Sequence, residues 1–219
     1  MGVSTGIPIT FPSNGLSLEG IVHLPETHPA PAVVICHPHP QYGGDMYNSV
    51  VDALVQAALA SGLLALRFNF RGTRGSAGAY DNGAGEQVDA TAALGYVRSL
   101  PEADPTRVFL AGYSFGAAVA LAAADQRDDL AGLICVSAPT TGGFLSAPDL
   151  RCHALFVSGD RDQYSDTQDL ATLTETLGDR AELVVMRGVD HFWAGSTDRL
   201  IEAVSTFLVS DKQPATRNK

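Results

Sequence analysis

Short apolar runs alternate along this chain with stretches whose apolar positions recur every three or four residues. The opening pair of runs, 7–12 and 16–24, flanks Asn14-Gly15. That dipeptide predicts a tight hairpin, because a two-residue reversed turn needs positive φ. Ala32-Val33-Val34-Ile35-Cys36 follows as an unbroken apolar run, the pattern of a strand covered on both faces. Residues 48–59 switch to helical spacing (Val50, Val51, Leu54, Val55, Ala58, Leu59), and Gly62 is placed to end the helix.

The alternation continues to the far end of the chain. Residues 63–70 read as a strand and 86–100 as a helix; 108–112 as a strand and 115–124 as a helix of small residues. Strands at 133–137 and 155–158, a helix at 167–177, a strand at 182–186 and a helix at 200–209 complete the series. Alternating strands and helices after a hairpin predict a mostly parallel sheet with helices on both faces. No repeat or low-complexity linker divides the chain, so one α/β domain is expected over residues 1–210. The polar stretch 211–219 reads as a flexible tail.

Composition removes several function classes. The 219 residues are 45% hydrophobic and only 17% charged, against roughly 25% charged in an average soluble domain. With 24 acidic and 14 basic side chains the formal net charge is −10. Lysine occurs only at Lys212 and Lys219, and nothing basic precedes Arg67. The clustered cationic surface that nucleic-acid binding needs is therefore missing, as is a basic membrane-surface helix. No run of about 18 apolar residues could span a bilayer; the densest, 55–68, is broken by Gln56, Ser61, Gly62 and Arg67. The absence of early basic residues leaves no n-region for a secretory signal. Cys36, Cys135 and Cys152 are dispersed with no C-x-x-C pair, which fits a reducing compartment. These features predict a cytoplasmic protein without nucleic-acid or membrane partners, a monomer or homodimer.

The chemistry is concentrated in a few segments. Gly112-Tyr113-Ser114-Phe115-Gly116 is a G-x-S-x-G lying directly between an apolar strand and a helix. A serine on so tight a turn sits in strained backbone geometry, and glycines two positions away let strand and helix approach closely. A serine hydroxyl becomes a useful nucleophile only if a base takes its proton and a third group orients that base. Asp160 and Asp162 follow the strand at 155–158, and His191 follows the strand at 182–186. In an open α/β sheet these C-terminal strand ends share one edge, where ligands bind. Nucleophile, then acid, then histidine is the chain order expected for this architecture. Asp190, next to the histidine, is expected to make turn hydrogen bonds.

With these residues on the page, the chain resembles the α/β-hydrolase superfamily. It is most similar to the small uncapped members, the dienelactone hydrolases and compact bacterial serine esterases. The likeness spans residues 7–209 and rests on five segments. They are His37-Pro38-His39-Pro40 with Gly43-Gly44, Phe68-Asn69-Phe70-Arg71-Gly72, the Ser114 turn, Gly159-Asp160-Arg161-Asp162 and Asp190-His191-Phe192. It implies the α/β-hydrolase fold without a cap domain. It also implies Ser114 as nucleophile, His191 as general base and then acid, Asp162 as the orienting carboxylate and Asp160 as a loop-stabilising residue. Dienelactone hydrolases proper carry cysteine where this chain has Ser114, so dienelactone is not implied as the substrate.

The resemblance also implies an oxyanion hole. One donor is the backbone N–H of Phe115; the second comes from residues 37–41, where Pro38 and Pro40 have no N–H. The backbone of His39 is the first candidate and Gln41 the second. His37 is expected to tie the loop down. His37 and His39 lack a third nearby ligand, so no metal is expected. Gly72, Gly75 and Gly78 lack a strand–G-x-G-x-x-G–helix context, so no dinucleotide is expected, and the reaction needs no cofactor. Arg67, Arg71 and Arg74, the one cationic cluster, are expected in ion pairs with Asp81, Glu86 or Asp89. Superfamily lids insert after the sixth strand, and here residues 140–152 are too few to build one. An open, shallow site is expected, walled by Tyr42, Phe115, Phe144, Phe192 and Trp193. The implied activity is carboxylesterase-type hydrolysis of a small, neutral, short-chain ester through an acyl-enzyme. A thioesterase, an aminopeptidase-like amidase, a perhydrolase and a non-catalytic binding protein of the same fold remain as alternatives.

Overall fold

Asn14 and Gly15 both take positive φ, 44° and 83°, so β1 (Ile7–Ser13) turns back antiparallel on β2 (Leu16–His23). The structure, a computed structural model, describes residues 6–141 and 148–210. The tail expected at 211–219 lies outside them. After the hairpin come β3 (Ala30–Cys36), α1 (Ser49–Ala60), β4 (Leu64–Phe68), α2 (Ala84–Ser99) and β5 (Ala103–Tyr113). Then follow α3 (Phe115–Ala124), β6 (Gly132–Val136), β7 (His153–Gly159), α4 (Thr167–Leu177), β8 (Ala181–Met186) and α5 (Thr197–Ser210).

These strands form one 8-stranded sheet in the order β1-β2-β4-β3-β5-β6-β7-β8. The hairpin joins it through an antiparallel β2–β4 pair, and every pair from β4 to β8 is parallel. β5 begins well before its apolar run, because Ala103 pairs with Ala30 across a register shift. The polar stretch Asp104-Pro105-Thr106 hides that extension from the sequence pattern.

The continuous apolar runs are explained by two cores. Val34, Cys36, Val108, Leu110, Cys135 and Phe156 pack on one face under α2, α3 and α4. Their neighbours Val33, Ile35, Phe109, Ala111, Ile134 and Val157 pack on the other under α1 and α5. Successive strand residues point to opposite faces, so a strand covered twice must be apolar at every position. Each large side chain buried in this way contributes about 1.5–3 kcal/mol.

The helix ends follow local chemistry. The Asn48 side chain accepts the Val50 N–H at 2.9 Å, and Gly62, at φ 74°, turns the chain into β4. Because β3 through β8 run in parallel, their C-terminal ends share one edge. From it emerge the loops carrying His37–Gly44, Ser114, Asp160–Asp162 and Gly188–His191. Residues 137–152, between β6 and β7, leave no room for a cap domain. Among the described residues, no helix is long and apolar enough to cross a membrane.

Candidate active site

The turn from β5 into α3 sets the site. Ser114 sits at φ 55°, ψ −122°, a conformation costing a non-glycine residue about 1–3 kcal/mol. The surroundings hold it there: its N–H donates to the Val136 carbonyl at 2.9 Å, and its carbonyl accepts the Ala117 N–H at 2.8 Å. A Cβ at Gly112 would overlap the Gly116 carbonyl, and one at Gly116 would overlap the carbonyls of Cys36 and His37. Both glycines are thus required by close backbone approach. The Ser114 hydroxyl does not cap α3; it faces outward.

Its partner there is His191, with Nε2 at 3.0 Å from Ser114 Oγ. On the other side of the ring, Nδ1 lies 2.9 Å from both Oδ1 and Oδ2 of Asp162. A carboxylate can only accept, so Nδ1 carries the proton and Nε2 is left to accept from the serine. The Asp162 side chain is fully buried, and its Oδ1 also accepts the N–H groups of Tyr164 (3.0 Å) and Ser165 (3.1 Å). Those bonds fix the orientation of the carboxylate.

The other two carboxylates do different work. Asp160 Oδ1 accepts the Gly188 N–H at 2.6 Å, joining the loops after β7 and β8. Asp190 Oδ1 accepts the Phe192 N–H at 3.0 Å within its own turn. Only Asp162 reaches the imidazole.

On the opposite flank, His37 is buried, with Nδ1 donating to the Pro38 carbonyl at 2.6 Å and Nε2 accepting the Phe70 N–H at 3.0 Å. Burial disfavours its charged form and lowers its pKa from 6.5 to about 4. The loop after β3 is thereby tied to the end of β4. His39 stacks among Tyr42, Tyr80 and Phe115, with ring centroids 4.7, 5.0 and 4.8 Å away. Its Nδ1 accepts the Gln41 N–H at 3.3 Å and its Nε2 lies 3.2 Å from the Tyr80 hydroxyl. Burial lowers its pKa as well.

Tyr42 and Phe192 are exposed, at 87% and 61%. The ring of Phe115 lies buried under Tyr80 and His39. Trp193 corrects the sequence expectation: it is not a wall of an open site but is fully buried, its indole N–H donating to Ser137 Oγ at 3.0 Å. An apolar ring next to the histidine satisfies the core as readily as a pocket, and the turn at Asp190–Trp193 sends it inward. Phe144 lies outside the described residues. Two rings near the site escaped sequence reasoning. Tyr80 sits in a loop without periodicity, whereas Tyr164, 4.8 Å from the His191 ring, is signalled only by sharing the Asp162 turn.

The arginines also need correction. Arg71 pairs with Asp89 as expected, Nε and the terminal nitrogen donating at 2.9 and 2.8 Å. Arg67 instead meets Asp52 of α1 at 3.3 Å, and Arg74 meets Asp45 at 2.6 Å. Their partners precede them in sequence, because the loop after β3 and the start of α1 fold over β4. A cavity of about 390 Å³ lies beside the hairpin, lined by Ile9, Glu19, Ile21, Met46 and Tyr47 among others; Ser114, Asp162 and His191 are not part of it. Among the described residues, no three His, Cys, Asp or Glu side chains are grouped to hold a metal ion.

Comparison with known proteins agrees with this fold. The profile of the alpha/beta hydrolase family matches residues 33–216. An alpha-beta serine hydrolase homologue from Coxiella burnetii is 34% identical, with a TM-score of 0.85 over 95% of this chain and 100% of that one. XC6422 from Xanthomonas campestris, a serine hydrolase without a lid, is 32% identical, with a TM-score of 0.84 over 99% of each chain. The uncharacterized protein RP471 of Rickettsia prowazekii is 30% identical over 191 residues, 83% of this chain and 79% of that protein.

Proposed function

This chain belongs to the alpha/beta hydrolase family, and we propose that it is a serine hydrolase that cleaves small, neutral, short-chain carboxylic esters through an acyl-enzyme. The observation that carries the reading is the continuous hydrogen-bonded line from Ser114 Oγ through His191 to the buried Asp162, with contacts of 3.0 and 2.9 Å.

In this mechanism Ser114 Oγ attacks the ester carbonyl carbon while its proton passes to His191 Nε2. The imidazolium so formed faces the Asp162 carboxylate, whose charge is held by the N–H groups of Tyr164 and Ser165. The carbonyl electron pair moves onto oxygen, where the N–H groups of Phe115 and His39 receive it. Such donors are worth about 2.7–4 kcal/mol of barrier each. Two features favour His39 over its neighbours: Pro38 and Pro40 have no N–H, and the Gln41 N–H is directed at His39 Nδ1. Collapse of the tetrahedral species expels the alkoxide, which takes the proton from Nε2. His191 then accepts a proton from water as the hydroxyl attacks the acyl carbon, and Ser114 leaves with that proton. The short chain between β6 and β7 and the likeness to a lid-free hydrolase support an open site, which offers little surface to a long acyl chain.

A fluorophosphonate followed by mass spectrometry tests the reading. The expected adduct is on Ser114 and is absent from Ser114→Ala, which also loses ester hydrolysis. Across acetyl to palmitoyl esters of one alcohol, activity should fall with length. Activity retained by Ser114→Ala overturns the mechanism, and activity rising to palmitoyl overturns the substrate class.

A further inference from the structure

We propose that Tyr113 and Trp193 form a two-point clamp that positions His191, making both of them positioning residues for the reaction above. The inference rests on the reading of His191 as the base.

His191 is gripped at its two ends by consecutive residues of one turn. Its Nε2 faces Ser114 Oγ at 3.0 Å, and its carbonyl oxygen accepts the Tyr113 hydroxyl at 2.7 Å. Tyr113 ends β5 and packs into the core shared with α1 and α5, with its ring centroid 5.5 Å from the imidazole. The turn carrying the nucleophile therefore also fixes the backbone of the base. The phenol is a dependable donor: burial, with the carboxylates of Asp162 and Asp190, pushes its pKa well above the ordinary value.

The second point of the clamp lies just downstream. Trp193 adopts φ 59°, in the left-handed region that a bulky side chain rarely occupies. Such a conformation persists only where the surroundings over-determine it. Here they do, through full burial of the indole and its bond to Ser137 Oγ at 3.0 Å. Ser137, itself at φ 48°, is anchored by its N–H to the Val157 carbonyl at 2.8 Å. The pins thus rest on the ends of β5 and β6, while the two loop backbone bonds nearest His191 are long, in contrast to the 3.0 Å from Ser196 N–H to Trp193 O. Val189 N–H to Met186 O and Trp193 N–H to Asp190 O are both 3.4 Å. Side chains, more than the loop's own turns, hold His191 in line with Ser114.

The test is Tyr113→Phe, which removes one oxygen and keeps the ring. With active sites counted by fluorophosphonate labelling, kcat per site is expected to fall about tenfold, since sub-ångström misplacement of a catalytic group has effects of that order. KM should change little, because the groups facing substrate are untouched. The downfield proton resonance of His191 Nδ1–H should broaden or shift. Ser137→Ala, which removes the acceptor for Trp193 and leaves Tyr113 in place, carries the same expectation should Tyr113→Phe fail to fold. An unchanged kcat per labelled site with an unchanged resonance overturns the clamp. Activity retained by Ser114→Ala would instead overturn the hydrolase reading, and the resonance would still report on the clamp.

Discussion

Asp160 and Asp162 stand two positions apart on the same loop, yet they perform different tasks. Spacing alone does not separate them, since both follow the end of β7. The distinction lies in where each side chain points: Asp160 bridges to Gly188, and Asp162 faces inward to His191. Asp162→Asn keeps the shape but removes the charge facing the imidazolium and can stabilise the wrong tautomer. Its kcat is expected to fall by about 10⁴. Asp160→Asn retains an acceptor for the Gly188 N–H and should leave kcat close to wild type. Steady-state kinetics on titrated enzyme distinguishes the two. Equal losses from both would mean that the shared loop, and not the Asp162 charge, carries the effect.

Between elements, Asp89 is the centre of a buried polar link. This fully buried carboxylate on α2 accepts the Ser13 hydroxyl from β1 at 2.6 Å and two side-chain donors from Arg71 beyond β4. It also accepts the Arg71 backbone N–H at 3.0 Å. Three parts of the chain far apart in sequence meet on one group. Asp89→Ala would strand the guanidinium, whose nearest remaining carboxylate is Asp81 at 4.0 Å. Removing one partner from a buried pair costs about 3–5 kcal/mol, and urea unfolding should show a loss of that size. A loss no larger than that of an exposed pair would show that water replaces Asp89. The sequence marked Asp89 among the candidates for Arg71. It missed Asp52 and Asp45 for the other arginines, because charge patterning is read along the chain whereas these partners arrive by folding across β4.

At the scale of the molecule, His37 couples the site's foundation to pH. Its pKa is 6.5 ordinarily and about 4 in the folded chain, where burial excludes the charged form. Between these values the unfolded chain binds a proton that the folded chain does not. Stability is therefore fully present above pH 6.5, is lost as pH falls toward 4, and loses nothing further from this group below that. The difference corresponds to about 3 kcal/mol. Urea midpoints of the wild type should drop more steeply over this window than those of His37→Gln, which has nothing to titrate there. Equal slopes would show that His37 protonates without leaving its place.

The hydrophobic pattern alone determined the architecture. Runs that are apolar at every position can only be doubly covered strands, and the helices between them force parallel crossovers, so the sheet, its two faces and its functional edge follow. The glycine spacing around Ser114 likewise determined its turn, because Gly112 and Gly116 are the residues that tolerate such close backbone approach. Only the tertiary structure decided which carboxylate meets His191, which acids meet Arg67 and Arg74, and whether Trp193 faces substrate or core. The physical reason is common to all three. Periodicity reports which side of its own element a residue occupies, whereas a loop residue's direction, and the partner a charged side chain meets on another element, depend on groups distant in sequence. Tyr113 belongs to both accounts: its strand was legible from pattern, and its grip on His191 exists only because β8, three strands beyond β5, ends on the same edge.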